Sequence, residues 1–97
     1  MKVEVVKKVK TIPPAHKLSV LSADGTLSTV DITWEKLRFS PIGEKWSAKG
    51  VGMTWNEMLT ATLVYRDEHQ AVILESREYL QEGHDAHYEH CLLGFVF

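Results

Sequence analysis

The sequence predicts an α+β fold: an antiparallel sheet of about five strands with one main helix packed on one face, in the chain order βββ-α(short)-α-ββ. Three observations carry that expectation. Asp24-Gly25 separates two apolar-alternating stretches, a strong short-range hairpin signal. Thr54-Trp55-Asn56-Glu57 has the pattern of a helix capping box. The run Cys91-Leu92-Leu93-Gly94-Phe95-Val96-Phe97 is apolar at odd and even positions alike, so as a strand it needs cover on both faces.

The opening residues 1–10 hold Val3, Val5, Val6 and Val9 among charges, a β-branched density that favours a strand. Its lysines suit an edge facing water. Pro13-Pro14 stops it, because neither residue donates to a ladder. The hairpin follows, and parity sets its register. A two-residue loop at Asp24-Gly25 would throw the apolar residues of the two strands onto opposite faces. A three-residue loop, Ala23-Asp24-Gly25, instead sets Leu18 opposite Val30, Leu21 opposite Leu27 and Lys17 opposite Asp31. A slip of one residue turns every side chain over, so burial of one face selects this second register. Gly25 then takes the left-handed position of a turn with a bulge.

Thr33 caps a short helix over Trp34-Glu35-Lys36-Leu37, which Pro41 ends. Residues 40–53, with Pro41, Gly43, Gly50 and Gly52, read as a long loop holding at most a short strand near Trp46. For residues 55–68 two periods compete. Trp55, Met58, Leu59, Thr62, Leu63 and Arg66 fit a helix; Leu59, Ala61, Leu63 and Tyr65 alternate as one strand face. The capping box decides for the helix. A strand from Ala71 to about Tyr79, a turn at Gly83 and the apolar closing strand complete the order.

The 97 residues suffice for one domain and a thin core. A net charge of −2 offers no bulk attraction to nucleic acid or acidic lipid. A single cysteine allows no internal disulfide framework, and no stretch has the length of a membrane helix, so a reducing, cytoplasmic setting is expected.

The densest chemistry lies in His84-Asp85-Ala86-His87-Tyr88-Glu89-His90-Cys91. Imidazole, thiolate and carboxylate suit a divalent transition metal. On a helix, His84, His87 and Cys91 share one arc, since each residue turns roughly 100°, and with His90 they form the candidate metal set. On a strand they point apart. His87 with Glu89, or Glu75 with His69, could form an acid–base pair. Lys49-Gly50-Val51-Gly52-Met53-Thr54 ahead of a helix hints at anion binding through exposed backbone N–H groups. Trp34, Trp46 and Trp55 flank the long middle segment and are candidate ligand-binding residues.

These observations lead to a non-enzymatic binding or interaction module acting as a homodimer, with the doubly apolar tail 92–97 at its interface and a small molecule or a protein as its partner. The alternatives are a metal-binding protein built on residues 84–91 and a small acid–base enzyme.

Overall fold

A computed structural model describes residues 6–10 and 16–97, and for 6–10 it gives the course of a strand alone. The chain runs β1 (Val6–Lys10), β2 (His16–Leu21), β3 (Leu27–Ile32), α1 (Trp34–Phe39), β4 (Lys45–Val51), β5 (Trp55–Arg66), β6 (Gln70–Gln81) and β7 (His87–Val96). The expectations for 1–5 and for Pro13-Pro14 lie outside the described residues.

The expected α+β class is overturned. The fold is mostly β, and the described residues hold one short helix and no main helix on a sheet face. Strands β7-β6-β5-β4 form an antiparallel sheet, and β1 lies beside β7 in parallel, Val6 opposite Leu92. The hairpin β2-β3 is a sheet of its own.

That hairpin has the register that parity demands. Lys17 faces Asp31, Leu18 faces Val30 and Leu21 faces Leu27. The Ser22 N–H donates to the Thr26 carbonyl at 2.8 Å, and the Gly25 N–H donates to the Ser22 carbonyl at 3.0 Å. Gly25 stands at φ +90°, where a side chain would be strained. Asp24 Oδ1 accepts from the Thr26 N–H at 2.9 Å, which holds the Asp24 carboxyl below its usual range. The Thr33 cap also forms, its hydroxyl accepting from the Lys36 N–H at 3.3 Å.

A helix is expected over 55–68, but residues 55–66 are a strand and 67–69 a turn. An N-cap is worth about 1 kcal/mol. Against it stand two ladders: β5 pairs with β4 from Lys45–Thr62 to Val51–Asn56, and with β6 along its length, with a register shift between Leu63 and Tyr65. Helical geometry would forfeit both. Thr54 instead sits in the β4–β5 turn, its carbonyl accepting from the Glu82 N–H at 2.7 Å. The middle segment is likewise corrected: β4 occupies seven of the residues read as loop.

Alternation gives the sheet two faces. The front carries Ala48, Ala61, Leu63, Ala71, Ile73, Leu93 and Phe95, all buried. The hairpin and α1 cover this end of the face with Leu18, Val20, Ile32 and Leu37, also buried. The contact is close. A Cβ on Gly50 would stand 2.5 Å from Val20 Cγ1 and 2.9 Å from the Leu21 carbonyl oxygen. Three bonds fasten the hairpin to β4: Ala23 N–H to the Val51 carbonyl at 3.0 Å, Val51 N–H to Ser22 Oγ at 3.1 Å and Lys49 N–H to Ser28 Oγ at 3.2 Å. Arg66 reaches back to the helix end, donating to the Leu37 carbonyl at 3.3 Å and to that of Ser40.

The closing strand is therefore covered on its front by the hairpin and α1, not by a long helix. Phe95 has no exposed surface, and the Phe97 ring packs 5.2 Å from that of Trp34 with the Arg38 guanidinium 5.1 Å above it.

Candidate functional site

The strands β5 and β6 run twelve residues each, longer than the cover over them. Past the hairpin, the alternation that put alanine, leucine and isoleucine on the front face continues with different chemistry. On β5 it supplies Leu59, Glu57 and Trp55; on β6, Glu75, Arg77 and Tyr79; on β7, Cys91, Glu89 and His87. The register lines these up in rows: Ala61–Glu75–Cys91, Leu59–Arg77–Glu89 and Glu57–Tyr79–His87.

These rows and the hairpin wall enclose a cleft of about 550 Å³, open to solvent, lined by Ser19, Glu57, Leu59, Glu75, Arg77 and Glu89. Arg77 is its centre. Its guanidinium donates to Glu57, and it stands 4.0 Å from Glu89. Glu89 also lies 3.1 Å from His87 Nε2. At the cleft's inner wall His16 Nε2 meets Glu75 Oε2 at 2.6 Å, both half-buried, so the first residue of β2 is tied to the middle of β6. The His16 ring also tilts against Phe95, 5.7 Å between centroids. At the outer end Trp55 stacks on Tyr79, 6.1 Å apart at 20°, and its indole lies where a Cβ on Gly52 would be. Two carboxylates thus flank one guanidinium, a third is held by His16, and an aromatic stack lies beyond the cleft's outer end.

No known protein family, curated protein or solved structure matches this chain.

The candidates read from sequence are dispersed by this geometry. Trp34 and Trp46 pack on the core, and only Trp55 borders the open end. Because residues 87–96 are strand, His87 and Cys91 share the front face while His90 faces the back, where its Nδ1 lies 2.8 Å from Ser76 Oγ. His84 sits in the β6–β7 turn, its N–H donating to the Gln81 carbonyl at 3.0 Å. No group of three or more His, Cys, Asp or Glu side chains among the described residues converges as a metal site. The anion-binding reading of 49–54 loses the helix it needs, since β5 follows. Of the two proposed acid–base pairs, His87 with Glu89 is in contact, whereas Glu75 is held by His16 and not by His69.

His16, Glu57, Arg77 and Tyr79 were not legible as site residues. A signal for them exists in the stretch Ala71-Ile73-Glu75-Arg77-Tyr79, whose alternate positions change from apolar to charged midway. That change marks where a strand leaves its cover.

Proposed function

We propose that this chain is a non-enzymatic binding module acting as a homodimer, with the uncovered half of the front face as its ligand surface. One observation carries the ligand surface: the sheet outruns its hairpin, and the overhang holds a cleft walled by charged side chains, with Leu59 as its apolar part and the Trp55–Tyr79 stack beyond its outer end. Pockets that take small molecules combine such apolar platforms with a few convergent polar groups. Glu57, Glu75 and Glu89 outnumber Arg77 in the lining, so the favoured ligand presents an amine or guanidinium. No helix among the described residues is long and apolar enough to cross a membrane. A cytoplasmic setting accords with the single cysteine of the sequence.

The test is a fragment titration followed by backbone amide shifts. Amines and guanidines are expected to move the resonances of Glu75, Arg77, Glu89 and the Trp55 indole. If amines, carboxylates and neutral sugars all leave these signals in place, the ligand surface is refuted.

The His16–Glu75 contact favours a second reading, an acid–base enzyme. A carboxylate that orients an imidazole at a cleft wall is the usual arrangement of a general base. A ligand that is turned over by the chain, with turnover lost in His16→Ala, would replace the binding reading by this one.

A further inference from the structure

We infer that two copies of this chain stack the backs of their sheets, about a two-fold axis parallel to the strands between β5 and β6. This rests on the homodimer reading above and names its surface. The back of an antiparallel sheet that faces water is ordinarily polar. Here it carries Val72, Leu74 and Leu92, half-buried, with Met58, Leu80, Tyr88 and Val96 exposed. No described element packs across it.

Its size suits a second copy. Four strands about 4.8 Å apart and roughly ten residues long, at about 3.3 Å each, make a face of roughly 600–650 Å². Two such faces bury roughly 1,300 Å², inside the range of about 1,200–2,000 Å² for stable complexes.

Charge fixes the orientation. One row across the back reads Lys49–Met58–Glu78–Tyr88, and another Lys45–Thr62–Leu74–Leu92. A two-fold axis across the strands would lay β4 on the β4 of the partner, lysine over lysine. An axis along the strands lays β4 over β7 of the other copy. The first row then meets itself reversed: Lys49 lies over Tyr88 of the second copy and one strand spacing from its Glu78, while Met58 covers the stem of that glutamate. Leu74 falls near the centre. Pairing through residues 87–91, the part of β7 beyond its ladder with β1, is disfavoured, because an antiparallel match centred on Glu89 sets that carboxylate against its own copy. Stacking the backs leaves both front clefts facing outward.

Light scattering and sedimentation at micromolar concentration test this. The wild-type chain is expected at twice 11.0 kDa. Leu74→Lys is expected to raise the dissociation constant by about thirtyfold or more, as for a central contact. Lys49→Glu, at an exposed position that leaves the fold alone, is expected to raise it by about fivefold, and Lys49→Glu with Glu78→Lys to restore it. A dimer untouched by Leu74→Lys and Lys49→Glu overturns the back-to-back surface while the homodimer stands. A wild-type monomer across the micromolar range overturns both. The ligand titration is unaffected by either result, because the cleft lies on the other face.

Discussion

The two ends of the front face are built on the same strands, yet they do opposite things. Under the hairpin, alternate residues of β5, β6 and β7 are Ala61, Leu63, Ala71, Ile73, Leu93 and Phe95, each shut away from water. A few positions further along the same strands they are Glu57, Arg77, Tyr79, Glu89 and His87, in or near solvent. The ladders run through both ends, interrupted on β5 by the register shift between Leu63 and Tyr65. The difference teaches that the ladders set the shape while the hairpin decides which stretch of it becomes core. Stability should therefore be concentrated at one end and binding at the other.

The sharpest way to break that division is at Phe95. Phe95→Ala removes a fully buried ring from the covered end and is expected to cost about 3–5 kcal/mol in denaturant unfolding. An effect below about 1 kcal/mol would mean that the hairpin is not packed on the sheet. Next comes Gly50→Ala, whose new Cβ would press on Val20 and on the Leu21 backbone. It is expected to cost about 1–3 kcal/mol. Its signature is an early loss of protection in β2 and β3 amides, since the strain lies at the hairpin's seat.

At the open end Arg77→Met sharpens the comparison from the other side. The ion pairs that it breaks are partly in water, so the expected loss of stability is about 1 kcal/mol or less. Amine binding should tighten, because Glu57 and Glu89 lose their competing cation; calorimetry against an alkylamine would read it. A stability loss as large as that of Phe95→Ala would abolish the distinction between the ends.

The smallest effect belongs to the β5–β6 turn. Asp67 accepts from the Tyr65 hydroxyl at 2.7 Å, the His69 N–H at 2.7 Å and the Gln70 N–H at 2.9 Å. These bonds hold its carboxyl below the usual range and push the Tyr65 hydroxyl up. A depressed folded-state value means that the contribution is present above the unfolded value of about 3.9 and is lost as pH falls through the folded one. Hydrogen exchange at His69 and Gln70 should accelerate only below about pH 4. Asp67→Asn should remove that step.

Much of the local structure was legible in the sequence. Parity alone gave the hairpin register, Thr33 gave the helix cap, and Gly83 gave the last turn. These features are decided by residues within one or two turns of each other. Residues 55–66 misled because a local cap signal and a non-local pairing pattern coexist there. The alternation of Leu59, Ala61, Leu63 and Tyr65 was visible, but its value depends on β4 and β6 being present on either side. The same reason hid β4, whose apolar positions are only Trp46, Ala48 and Val51 around Gly50. The parallel pairing of β1 with β7, and the contact of His16 with Glu75, join distant parts of the chain and leave no local mark. Proximity in sequence drew attention to His84, His87, His90 and Cys91, and a pleated strand is the geometry that separates such neighbours.

The parallel pairing of β1 has a kinetic consequence. Val6 meets Leu92, so the strand at one margin of the sheet waits for a partner that is reached only near the other end of the chain. Closing so long a loop is slow and entropically costly, whereas the β4–β7 turns close quickly. Refolding should show the meander acquiring protection first and residues 6–10 last, and a chain lacking β7 would leave that valine-rich strand exposed to aggregation.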